Sequence, residues 1–203
     1  MTGARPYTAA AGVLAAGVLL AGCTGYTPVD DTGGSGAGSP FTRTLSERDR
    51  PAAPDLGGAT LDGETVHLSD YRGDVVVVSG WGSWCGPCVA EAPELNEFQR
   101  KWHHRGVRVL GLDNDVDSGR ALAFQKKHRL GFPSLRDPQG RLGRRLPHGL
   151  VNTQALPYTV VVDPQGRIAA SRMGAVTEAE LADVVTPLLR APRPQRSPAP
   201  SRH

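Results

Sequence analysis

The chain predicts an α/β fold with a central mixed sheet and an added N-terminal β-hairpin. Three observations predict it. The runs Val75-Val76-Val77-Val78 and Thr159-Val160-Val161-Val162 read as strands buried on both faces. Segments of helical period stand between and after such runs. The turn Asp163-Pro164-Gln165-Gly166 is too tight for a parallel crossover, so at least one strand pair is antiparallel.

Residues 60–66 form a short hairpin about Asp62-Gly63, a dipeptide suited to the positive φ of a tight turn. Residues 75–81 are the first buried strand. Residues 87–102 follow as a helix, with Ala92, Leu95, Gln99 and Trp102 roughly on one face. Residues 107–112 are the next strand, 119–128 the next helix and 132–135 a brief extended piece. The segments 159–162 and 168–170 flank the Asp163–Gly166 turn. Thr177, with Glu180 three residues on, is a capping box opening a last helix that runs to about residue 189. The order is β-α-β-α-β-β-α after the hairpin.

The bulk numbers narrow the classes. At 203 residues there is room for one domain plus appendages, and 25 Gly with 17 Pro place sizeable parts outside a packed core. The net charge of +3 sits at the ends. Arg5 lies near the start, and Arg190, Arg193, Arg196 and Arg202 lie in the last 14 residues. Of 23 basic residues, removing these five leaves eighteen against 20 acidic ones in the middle. A nucleic-acid footprint on the folded part is not expected.

The first 22 residues read as an export signal. Arg5 supplies a weak positive region, and the apolar run from Ala9 to Ala21 is too short to span a bilayer comfortably. The run ends in Leu20-Ala21-Gly22-Cys23, which resembles the bacterial lipobox, where the cysteine is lipidated and becomes the mature N-terminus. An ordinary signal peptide with an incidental cysteine is the plainer alternative. Lipidation accounts for the odd cysteine among three and leaves Cys85 and Cys88 as a pair. Residues 23–50, rich in Gly, Ser, Thr and Pro, read as a flexible tether that would hold the domain about 30 Å from a membrane. Residues 51–190 are the domain. The basic, proline-rich tail, 191–203, reads as disordered.

Trp84-Cys85-Gly86-Pro87-Cys88 carries the chemistry. Two thiols two residues apart at a helix start can close into a disulfide and reopen, and a helix N-terminus favours the thiolate of the first. Gly86 allows the tight entry, and Pro87 loses nothing in a first turn whose N–H groups are unpaired anyway. Cys85, nearer the surface, is the expected nucleophile, and Cys88, one turn in, the resolving thiol. A zinc half-site would need about four ligands, and the remaining histidines lack a matching spacing.

The box, its preceding strand and the following Glu91-Ala92-Pro93 resemble the thioredoxin superfamily. Within it the chain is most similar to the TlpA/ResA-like membrane-anchored thiol–disulfide oxidoreductases. The likeness covers about residues 52–190, including Phe132–Asp137 and Leu156–Asp163 in order. It implies a thioredoxin-like three-layer α/β/α sandwich. It also implies that Pro157 is a cis-proline beside the disulfide, and that Trp84, Leu156 and Pro157 meet the substrate. Glu91 matches an acid placed near the cysteines, where it could exchange protons with Cys88; a first-turn acid complementing the helix dipole is the other reading. Pro93 matches a kink in the active-site helix.

One position departs from the family. Six residues before Cys85, where typical thioredoxins carry an acid, stands Ser79. The small residues of Ser79-Gly80-Trp81-Gly82 predict a more open site than an aromatic-rich strand end would give. The segment 113–117 resembles the start of a calcium loop, but Ser118 and Phe124 occupy positions that need Gly and Glu, so a strand-to-helix loop with capping acids is expected. His103-His104 reads as a solvated helix end.

The reading is an extracytoplasmic, lipid-anchored, monomeric thiol–disulfide oxidoreductase without a cofactor. It would reduce protein disulfides and be re-reduced by a membrane-bound donor; the resemblance implies such a donor and, often, apocytochrome c as client. Two alternatives stand beside this reading. A peroxide-reducing redoxin needs a Pro-x-x-x-Thr-x-x-Cys arrangement, and those positions hold Val78 and Gly82. A non-enzymatic lipoprotein would use the CxxC pair as a structural staple.

Overall fold

The computed structural model describes residues 43–190; the signal, Cys23, most of the tether and the tail lie outside the described residues. The strands are β1 (Arg43–Thr44), β2 (Gly57–Ala59), β3 (Thr65–His67), β4 (Val75–Trp81), β5 (Val107–Asp113), β6 (Ser134–Arg136), β7 (Tyr158–Val162) and β8 (Ile168–Met173). The α-helices are α1 (Gly86–Trp102), α2 (Ser118–His128) and α3 (Glu178–Leu189). Six strands form one sheet in the order β1-β8-β7-β4-β5-β6, and β2 and β3 pair as a separate hairpin. Strands β4, β5 and β6 are mutually parallel, whereas β7, β8 and β1 continue antiparallel from the other side of β4.

Every residue of β4 is buried, as its unbroken apolar run requires of a central strand covered on both faces. The strand alternates between two cores. Val75 and Val77 face Leu95, Phe98 and Trp102 of α1 and Leu181, Val185 and Leu188 of α3. Trp81, in the same phase, stacks on Phe124 of α2 at 4.9 Å between ring centroids. The crossovers through α1 and α2 run the same way along the sheet, and right-handed connections put both helices on one face. Val76 and Val78 face the other way, onto Leu56 and Leu68 from the N-terminal segment and Leu146 from the β6–β7 connection. That third layer is built from short 3₁₀ turns and irregular chain rather than a long helix.

The N-terminal hairpin turns about Asp62-Gly63 as expected, with Gly63 at φ 86°. The capping box of α3 forms, Thr177 accepting from the Glu180 N–H. The tether boundary needs correction. Residues 43–50 belong to the fold: Arg43 pairs with Ser171 on the sheet edge. The Leu45 N–H donates to Ala169 O at 2.8 Å, and Arg50 bonds Asp163 at 3.2 Å. A two-residue edge strand is too short to leave a periodic signal, and the glycine-rich stretch before it masked it.

The openness expected at the end of β4 is also absent. Gly80 lies opposite Tyr158, and a Cβ there would sit 2.3 Å from the Tyr158 ring. The missing side chain is filled by that buried aromatic, not by solvent. We expect Gly80→Ala to cost roughly 1–3 kcal/mol through overpacking. Urea midpoints for this variant and for Gly131→Ala, whose added Cβ would meet its nearest atom, Asn96 Oδ1, only at 3.9 Å, separate overpacking from the loss of glycine itself.

Candidate redox site

Cys85 and Cys88 form a disulfide with an S–S distance of 2.05 Å and Cα atoms 5.2 Å apart. The position follows from local structure. Strand β4 ends at Trp81, the Cys85 N–H closes a turn onto Gly82 O at 3.1 Å, and Cys85 becomes the N-cap of α1. Its sulfur takes the place of a capping oxygen: the Cys88 N–H donates to Cys85 Sγ at 3.2 Å. A sulfur so placed faces the positive end of the helix, which favours its thiolate once the disulfide opens.

Both cysteines are buried, yet their surroundings are apolar and exposed. Among the described residues, the exposed large apolar side chains are Trp84 (64%), Val89 (37%) and Val116 (72%). Trp84 and Val89 adjoin Cys85 and Cys88 in the chain, and Val116 lies in the loop that Asp115 bonds to Ser83. Leu156 packs against the cluster containing Cys85, Cys88, Trp81 and Ala92, and the Leu156–Pro157 bond is cis. The Pro157 carbonyl accepts from the Gly174 N–H at 2.9 Å. Leu156 thus reaches the cysteine cluster from the start of β7, and Trp84 precedes Cys85 in the turn after β4.

Glu91 lies one turn further into α1 than Cys88 and is only 1% exposed, inside the domain rather than on a solvated first turn. Its Oε1 accepts from the Val176 N–H at 3.0 Å, while Oε2 has no hydrogen-bond partner among the described residues. Burial pushes the carboxyl up to about 8, against weaker opposing pulls from the Val176 N–H, the Ser79 hydroxyl and Arg172. Ser79 is near enough to favour the carboxylate but makes no well-aligned bond to it. Thr159, directly opposite Ser79 on β7, also buries an unpartnered hydroxyl. The strand position without an acid and the helix acid therefore share one pocket.

The segment 113–117 is a strand-to-helix loop, with Asp117 as the N-cap of α2. Asp113 and Asp115, read from the sequence as capping acids of this loop, do not cap the helix. Asp113 and Asp115 are buried, and the Asp115 N–H donates to Asp113 Oδ1 at 3.0 Å. Burial, with repulsion from Asp115, pushes the Asp113 carboxyl up to about 7, and Arg136 opposes this. Asp113 keeps the phase of Val107 and Val109, whose side chains face the helices. That alternation was the available signal that it points inward.

A CxxC disulfide capping a helix beside a cis-proline, on a mixed sheet of this order, defines a thioredoxin-fold thiol–disulfide oxidoreductase. The chain belongs to the AhpC/TSA family, which matches residues 50–171. It is similar to the thiol-disulfide oxidoreductase ResA of Bacillus thuringiensis subsp. konkukian, 27% identical over 164 residues, 81% of this chain and 87% of that one. ResA of Bacillus cereus is 30% identical over 129 residues, 64% of this chain and 72% of its own. A secreted thiol-disulfide isomerase from Corynebacterium glutamicum superposes with a TM-score of 0.69 at 32% identity, covering 76% of this chain and 96% of that one. A DsbF homologue from Corynebacterium diphtheriae gives 0.67 at 30% identity, with the same coverage.

The raised Glu91 value fixes the sign of a pH effect. Between the ordinary value of 4.5 and about 8, the folded chain keeps a proton that the unfolded chain has lost. Stability therefore falls as pH rises through that window. Glu91→Gln keeps an oxygen for the Val176 N–H but removes the titration. It should flatten the slope and stabilise the protein at pH 8.5 by on the order of a few kcal/mol. Urea midpoints at pH 5 and pH 8.5 check this, and an unchanged slope would refute it.

Proposed function

We propose that the chain is an extracytoplasmic protein-disulfide reductase, lipid-anchored through Cys23 and working as a monomer. The observation that carries the redox cycle is the seating of Cys85 at the N-terminus of α1 with Cys88 bonded behind it. In the reduced protein the Cys85 thiolate attacks a client disulfide, forming a Cys85–client bond and expelling the other client sulfur as thiolate. Cys88, deprotonated, attacks Cys85 Sγ and releases the second client sulfur. The client ends as two thiols, and Cys85–Cys88 ends oxidised. A membrane dithiol donor restores the thiols by the same exchange in reverse.

Each role has a physical support. Glu91 is the proposed proton exchanger for Cys88: it lies a helical turn away, and its carboxyl, at about 8, is matched to a thiol. Trp84 and Leu156 border the disulfide, and cis-Pro157 sets the Leu156 backbone beside it. The peroxide-reducing reading finds no support in the two positions that would matter. Val78 is buried in β4, and Gly82 lies under the Trp84 indole. Export is supported by the signal-like first 22 residues and the description of the Corynebacterium glutamicum relative as secreted. No helix among the described residues is long and apolar enough to cross a membrane.

The cycle makes two linked predictions. Cys88→Ser should accumulate a mixed disulfide with client proteins in cells; its absence would favour a structural staple. Glu91→Gln should slow release of such a mixed disulfide by about tenfold or more at neutral pH while leaving its formation faster than its release. The direction is read from the Cys85–Cys88 reduction potential: a value near about −270 mV is expected, and one near about −120 mV would identify an oxidant. For the anchor, Cys23→Ser should move the protein from the membrane fraction to the soluble one.

A further inference from the structure

Asp115 turns both carboxylate oxygens toward the redox loop. Oδ2 accepts the Ser83 backbone N–H at 2.7 Å, and Oδ1 accepts the Ser83 hydroxyl at 2.8 Å. Asp115 is only 3% exposed, so this acid has left water to make these two bonds. One residue back, the Asn114 N–H donates to Trp81 O at 2.8 Å. The loops after β4 and β5 are thereby stitched side by side. Charge-assisted bonds to a backbone N–H and to a hydroxyl are among the stronger ones available, and a buried pair is worth more than an exposed one.

The residues beyond the stitch point outward. Trp84 follows Ser83 and is 64% exposed; Val116 follows Asp115 and is 72% exposed. Single exposed apolar residues are ordinary, but here two of the three exposed large ones among the described residues sit on the two loops that Asp115 joins, one of them next to Cys85. The reaction itself says what comes there. When a client sulfur reaches Cys85, the client residues next to its cysteine must pass over these loops, at about 3.3 Å of chain per residue.

We propose that Asp115 is a positioning residue for polypeptide substrates. By clamping Ser83 it sets Trp84 and Val116 as two sides of an apolar rim that receives apolar residues flanking the client cysteine. The rim selects by sequence around the disulfide, which the cysteine pair alone cannot do. This rests on Cys85 as the attacking thiol, and it is independent of whether the cycle runs reductively.

The test uses the full chain in a Cys88→Ser background. Two short peptides carry one cysteine activated as a mixed disulfide with thionitrobenzoate, flanked in one by Leu and Val and in the other by Ser and Gln. Release of thionitrobenzoate reports attack by Cys85. The parent should favour the apolar peptide about fivefold, the gain expected from burying part of one apolar side chain. Asp115→Asn and Val116→Ser should each bring that ratio below about twofold, with Ser83→Ala, which loses only the hydroxyl bond, in between. A purely structural stitch would slow both peptides alike, so an unchanged ratio in Asp115→Asn overturns the proposal. Val116→Ser alters a surface side chain and keeps the question answerable if Asp115→Asn folds poorly. A parent that prefers neither peptide overturns the rim but leaves Cys85 as nucleophile; a parent that releases no thionitrobenzoate overturns both.

Discussion

A carboxyl group buried a helical turn beneath a disulfide is the constraint around which this site is built. Taking Glu91 out of water is costly, and a single N–H from Val176 returns only part of its lost hydration. The domain tolerates this because nothing else charged competes for the pocket from the strand below. An acid at position 79 would face Glu91 across the same space, and the two could not both ionise. Ser79 removes that repulsion and supplies a hydroxyl instead. The serine on β4 and the glutamate on α1 are one arrangement, in which the proton-carrying group belongs to the helix that carries the thiols.

That arrangement depends on the sheet holding its layers closely. Strand β4 must deliver Cys85 to the start of α1 on one side while its opposite face packs against Tyr158. Tyr158 immediately follows Pro157, so the ring that fills the space over Gly80 also fixes where the cis-proline stands. The two halves of the site, the α1 N-terminus and the start of β7, are therefore located relative to each other through a glycine–tyrosine pair inside the sheet. Asp137 closes the far side: it accepts the Leu142 and Gly143 N–H groups, at 2.6 and 2.9 Å, where the connection to β7 crosses behind Tyr158. Burial raises its carboxyl, as it does that of Glu91.

What the sequence made legible was local. The CxxC box, the valine runs, the Thr177 capping box and the turn at Asp62-Gly63 each state their structure within a few residues, and all appear as read. What it concealed was set by distant partners. Arg43–Thr44 becomes a strand only because β8 offers an edge, and two residues carry no periodicity of their own. Gly80 looked like open space because the residue that fills it lies 78 positions away in sequence. Glu91 was legible as an acid near the cysteines through family resemblance, but its burial was not, since a helix position faces inward or outward according to what packs on it.

The acids after β5 show the same point in another form. As a run, Asp113-Asn114-Asp115-Val116-Asp117 suggests a cation site or a solvated loop. In the fold its members separate by depth and task. Asp117 caps α2 at the surface, Asp115 is buried against Ser83, and Asp113 is buried below it. Burial, with repulsion from Asp115, pushes the Asp113 carboxyl up to about 7, while Asp115 accepts two bonds from Ser83. Glu91 and Asp113 are thus both raised toward neutrality by burial. Their neighbours differ: Glu91 lies one helical turn beyond Cys88, whereas Asp113 accepts the Asp115 N–H at the end of β5.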